Sequence, residues 1–107
     1  MKIPESVRIG GVEYKVEFEP NLRSSTGILF GEIDYHQSII RLSTTDGSGH
    51  QMQCITLIHE ILHGIENHFE AEIPEEFKEK IIDMFARGIY QVLQDNGRRL
   101  FDIVPEK

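Results

Sequence analysis

The sequence predicts one α+β domain in which a small antiparallel sheet of three to four strands packs with two long helices, the first of them central. Three observations carry that reading. Apolar residues alternate at period two as far as Ser43, they recur at steps of three and four beyond His50, and 107 residues can bury one modest core but not two. Residues 1–107 are therefore read as a single domain.

The elements follow in chain order. "VRIGGVEYKVEFE" sets Val7 and Ile9, then Val12, Tyr14, Val16 and Phe18, at alternate positions with Gly10-Gly11 between, which predicts two strands joined by a tight turn. After the polar connection "PNLRSSTG", the run "ILFGEIDYHQSIIRLS" predicts two further strands, with the turn at His36-Gln37-Ser38 and with Ile40 and Leu42 alternating. From "TTDGSGH" the period becomes helical through Met52, Ile55, Ile58, Ile61, Leu62, Ile65 and Phe69, and Ser48 with Gln51 fits a capping box at the start. A second helix begins near Pro74, where Glu75 and Glu76 favour the positive end of the dipole. Its apolar stripe is Phe77, Ile81, Ile82, Phe85, Ile89, Val92 and Leu93, and Gly97 is its stop. In the tail, Leu100, Phe101 and Ile103 either pack back on the body or fray.

Composition narrows the function. The formal net charge is −7 with no basic segment to offset it, so the chain repels phosphate backbones and no nucleic-acid partner is expected. Cys54 is the only cysteine, which excludes an internal disulfide and a cysteine-held zinc; a metal must be bound by nitrogen and oxygen. No run is long and apolar enough to span a membrane, and "MKIPESVRIGG" lacks the apolar segment of a signal peptide. A soluble cytoplasmic protein is the expectation.

The chemistry concentrates in "HEILH", residues 59 to 63. On a helix His59 and His63 share one face a turn apart, so both imidazoles can point at one metal ion, while Glu60 is turned about 100° around the axis. A catalytic zinc site needs a third protein ligand and an open position for water, and Glu60 is placed to reach that water as general base. Buried structural histidines are the competing reading. The pair lies at the edge of the apolar stripe, which suits a pocket lining. For the third ligand the second helix offers Glu79, with Asp83, Ala86 and Tyr90 following along one stripe. Asp83 can accept the free ring N–H of a ligating histidine, and small Ala86 lets the helices approach. Glu72, Glu75, Glu76 and His68 are rivals for the third position.

"HEILH", followed after fifteen residues by "EKIID", resembles the gluzincin pattern of zinc peptidases. "EKIIDMFARGIYQVL" resembles the ligand helix of ImmA/IrrE-type metallopeptidases, and with "IGGVEYKVEF", "GEIDYH" and "TLIHEILHGIE" the chain is similar to short phage and prophage proteins of this type. Lys78 stands where thermolysin-like gluzincins carry asparagine. The resemblance implies a minimal zincin-like core, a Zn2+ cofactor held by His59, His63 and Glu79, Asp83 supporting a histidine, and endopeptidase activity with Glu60 as base. Substrates of this class lie extended along an edge strand, for which "SIIRLS" is the candidate. Tyr90, Tyr35, Arg87, His36 and His68 are able to donate to a developing oxyanion. The alternative is a non-catalytic phage or prophage interaction protein that retains the metal-binding fold. A phosphate hydrolase fits less well, because that chemistry recruits more carboxylates and a basic surface.

Overall fold

Gly10 and Gly11 both hold positive φ, 56° and 85°, so two residues suffice to reverse the chain between β1 (Ser6–Ile9) and β2 (Val12–Glu19). The structure, a computed structural model, describes residues 1–25, 27–45 and 47–100. After β2 come a two-residue ladder, β3 (Arg23–Ser24) with β4 (Gly27–Ile28), then β5 (Gly31–Asp34) and β6 (Ile39–Ser43). The small ladder spans most of the connection "PNLRSSTG", read from sequence as polar, and ends at Ile28. Two helices complete the order, α1 (His50–His68) and α2 (Glu75–Asn96), and Gly97 opens a single 3-10 turn.

The main sheet runs β1-β2-β6-β5, so its α+β character is as expected but its pairing is mixed. β1–β2 and β5–β6 are antiparallel, whereas β2 and β6 are parallel, with Val16 opposite Ile40 and Phe18 opposite Leu42. Two reversals separate β2 from β6, one before β5 and one at residues 35–38, so the chain returns in its original direction. β6 takes the interior place because Ile40 and Leu42 are fully buried there. β5, with Gly31, Glu32 and Asp34, has the composition of an edge. The expectation that "SIIRLS" forms the edge is thus corrected: the edge beside α1 is "GEID".

The core is Ile9, Tyr14, Ile40, Leu42 and Leu57, with Val7, Val16, Ile33 and Ile61 packed against it. Leu57 and Ile61 bring α1 onto the inner sheet face. α2 packs on the far side of α1 and touches no strand among the described residues, so the layers are sheet, α1, α2. Of the stripe expected to bury α2, only Ile82 is fully covered, together with Ala86; Phe77 and Phe85 are half exposed. One helix cannot cover a stripe that wide. The start of α1 also differs from expectation. Gly49 is its N-cap with no side-chain cap bond, because Ser48 turns back through its N–H to the Thr45 carbonyl, and Ser48 Oγ is buried without a partner among the described residues. Phe101 and Ile103 lie outside the described residues, and Leu100 is exposed. No helix among the described residues is long and apolar enough to cross a membrane.

Two glycines set how closely α1 meets the sheet. A Cβ at Gly64 would press on Ile9 Cδ1 at 2.8 Å and Ile33 Cδ1 at 3.2 Å. A Cβ at Gly31 would overlap Thr56 Cγ2 and meet the Arg41 carbonyl at 3.0 Å. Neither neighbour is a flexible tip, so Gly31→Ala should cost about 1–3 kcal/mol, the usual toll of overpacking, measured by urea unfolding. Thr56→Ser removes the obstructing methyl and should restore part of the loss. Equal costs in both backgrounds would show that the approach is not the cause.

On the outer sheet face Arg41 is nearly enclosed by carboxylates, at 2.7 Å from Glu32, 3.4 Å from Asp34 and 3.5 Å from Glu19. Asp34 Oδ1 also accepts the backbone N–H groups of His36 and Gln37, both at 3.0 Å, which fixes the turn into β6. The Gln37 N–H above all, with Arg41 and the His36 N–H, holds the Asp34 carboxyl below its ordinary 3.8. Its contribution to stability is therefore complete above that value and lost as pH falls through the lower folded one. Asp34→Ala should be less stable than wild type in urea at neutral pH, and the gap should narrow as pH falls below 3.8. A gap independent of pH would contradict this role.

Candidate metal centre

α1 carries His59 and His63 on the side facing α2, and α2 answers with Glu79 and, one turn later, Asp83. The two Nε2 atoms are 3.2 Å apart. Glu79 Oε1 lies 2.8 Å from His63 Nε2, and its Oε2 lies 3.2 Å from His59 Nε2. Among the described residues these three are the group whose ligand atoms converge, all within 4.8 Å of one another. The spacing suits a metal: tetrahedral bonds of roughly 2.0–2.1 Å place neighbouring donors about 3.3 Å apart. The His59 ring is also short of a proton. Burial, with His63 adding to it, holds the His59 imidazole below its ordinary value despite the opposing Glu79 and Asp83 carboxylates, so it is neutral at pH 7. His59 Nε2 is the ring nitrogen turned to the Glu79 carboxylate and Nδ1 the one turned to Asp83, so with the ring hydrogen on Nδ1 the Nε2 lone pair would be available to a cation held by Glu79.

Asp83 Oδ1 stands 3.8 Å from His59 Nδ1, longer than a hydrogen bond but on the correct nitrogen to steer the ring, and its Oδ2 accepts from Arg87 Nε at 3.1 Å. Asp83→Ala should therefore weaken metal binding by roughly 10- to 100-fold without abolishing it, as read by competition with a zinc indicator. Unchanged affinity would remove Asp83 from the site.

Among the rivals, Glu75 is drawn to Lys78 at 2.9 Å, and Glu72 and Glu76 are exposed. His68 lies over Gly10, where a Cβ would run into its ring, and does not reach His59. Lys78 also reaches Glu66 of α1 at 3.4 Å and so ties the first turn of α2 to α1 beside Glu79. Sequence reading missed that tie. Its (i, i+3) partner Glu75 was visible, but its partner on α1 depends on how the helices dock.

Glu60 points to the sheet side of the same space. It is 7% exposed, and a cleft of about 530 Å³ is lined by His59, Glu60, His63, Glu79, Asp83 and Arg87 along the helices and by residues 28–33 and Tyr35 opposite. Burial first, then the Glu79 and Glu32 carboxylates, push the Glu60 carboxyl up to about 8. Its proton affinity thus lies near neutral pH. Tyr35 donates its hydroxyl to the His63 carbonyl at 3.0 Å, and burial, with Glu66 and Glu60, pushes that hydroxyl up to about 12. It stays protonated, but its one hydrogen is committed to the backbone. Tyr90 is half-buried two turns beyond Asp83 and is not among the cleft-lining residues. His36 belongs to the turn after β5.

No family model matches this chain, and neither curated proteins nor solved structures give a match.

Proposed function

We propose that the chain is a zinc-dependent endopeptidase of the gluzincin type, similar to ImmA/IrrE-type and phage-encoded metallopeptidases. The observation that carries this is the convergence of His59, His63 and the Glu79 carboxylate beside a buried Glu60 in one cleft. The single cysteine suits a reducing compartment such as the cytoplasm. When bound by the three ligands, Zn2+ would polarise the substrate carbonyl and acidify a water molecule.

The chain's own groups supply the rest. Glu60, around the helix from the imidazoles, takes the proton from the attacking water and returns it to the departing amine. Asp83 keeps His59 in the tautomer that leaves Nε2 free to ligate. β5 has a single strand neighbour and runs along the cleft, so an extended peptide can add to its open side by backbone hydrogen bonds. Arg87 is the cationic side chain of the cleft lining, and with Tyr35 committed to His63 it is the better-placed donor to a developing oxyanion.

The test is to load the purified chain with zinc and incubate it with a mixed peptide library read by mass spectrometry. Internal cleavage that disappears on chelation and returns with zinc is expected. Stoichiometric zinc binding with no peptide cut, by wild type and Glu60→Gln alike, would favour the non-catalytic interaction protein.

A further inference from the structure

Among the described residues α2 is the outermost layer and packs only one of its faces. Ile82 and Ala86 are buried against α1, with Ile89 and Leu93 half-buried. A second apolar stripe, Phe77, Ile81, Met84, Phe85, Gly88 and Val92, runs along the other side at helical spacing. No acidic residue interrupts it. Phe77, Met84 and Phe85 are 50%, 58% and 53% exposed, and Leu100 closes a groove of about 480 Å³ over Phe85, Gly88 and Val92.

The positions of the stripe are symmetric about its middle, though the residues that occupy them differ. Phe77 and Val92, Ile81 and Gly88, Met84 and Phe85 lie at equal distances on either side of the point between Met84 and Phe85, within about one residue of the middle of α2. A two-fold antiparallel helix pair requires that pattern, since residue i of one copy meets j of the other while j meets i. Sizes are complementary in this register. Ile81 falls on Gly88, where a Cβ would find nothing within 4 Å, and Phe77 falls on the groove beside Val92.

We propose that α2 pairs with α2 of a second copy of this chain, antiparallel about a two-fold axis at Met84 and Phe85, each Phe77 entering the other copy's groove. Phe77, Met84, Phe85, Val92 and Leu100 together offer on the order of 400 Å² per copy, so pairing removes roughly 800 Å² from water. That is the size of a weak, reversible dimer rather than an obligate one. Each copy also brings a net charge of −7, and this repulsion makes pairing stronger at high salt.

Sedimentation velocity from about 1 μM to 1 mM should show a dimer fraction that rises with concentration and with salt. Gly88→Leu is the discriminating variant. It enlarges the apolar surface but fills the seat of Ile81, so it should weaken association at least about tenfold, as should Phe85→Asp. In a Cys54→Ala background, mixing Phe77→Cys with Val92→Cys chains should give the mixed disulfide in preference to either homodimer. Circular dichroism confirms that each variant is folded. A monomer over the whole range, stronger association of Gly88→Leu, or 77–77 links as frequent as 77–92 links would each overturn the proposal.

Discussion

Glu60→Gln should keep one metal ion per chain while peptide cleavage falls by a factor on the order of 10² to 10⁴, the usual worth of a positioned general base. Glu60 is not among the converging ligand atoms, which belong to His59, His63 and Glu79, so its loss leaves the donor set whole. Glutamine has nearly the same shape and fits the enclosed position, where Glu60 is 7% exposed, without opening a cavity. It cannot accept a proton from water. Folding should not suffer, because burial already disfavours the charged form of Glu60 and the amide carries no charge. Zinc content by inductively coupled plasma analysis and initial rates on one peptide decide the matter. A Glu60→Gln chain that cleaves as fast as wild type would assign the activity to another group.

His59→Ala and His63→Ala should each abolish metal binding and, with it, all cleavage. Each removes one of two imidazoles whose Nε2 atoms sit 3.2 Å apart, leaving one ring and an exposed carboxylate, too few donors to strip a hydrated cation of its water. Glu79→Ala should have the same effect, whereas Glu75→Ala should not, since the Glu75 carboxylate already belongs to Lys78. Retained affinity in Glu79→Ala together with loss in Glu75→Ala would reassign the third ligand. Isothermal titration of metal-stripped protein reads all four variants.

Much of this arrangement is legible in the sequence because it depends on local periodicity. Gly10-Gly11 announces its turn, Ile40 and Leu42 announce a buried face, and the spacing of His59 and His63 fixes their shared direction once the segment is helical. Glu79 and Asp83 lie four apart on one stripe, so their joint orientation toward α1 also follows from helical geometry. What sequence did not reveal depends on docking. The parallel β2–β6 pair and the edge position of β5 follow from how two reversals stack, and nothing within "SIIRLS" or "GEID" alone encodes strand order. Gly31 and Gly64 look like weak points of a strand and a helix until Thr56, Ile9 and Ile33 are seen against them. Ser48 satisfies the letter of a capping box, yet its backbone turns to Thr45 instead. The wide apolar stripe of α2 was read as one buried face, whereas the structure divides it between α1 and an exposed flank.

Peptide hydrolysis is proposed to depend on a one-ion centre formed by His59, His63 and Glu79. This dependence is tested most directly by adding zinc in fractions of an equivalent to metal-stripped protein and following cleavage of a single peptide. The rate should rise linearly and break to a plateau, or to slow inhibition, at one zinc per chain, with no rise in His63→Ala. Cleavage that is already complete without metal, or that shows no break at one equivalent, would contradict it.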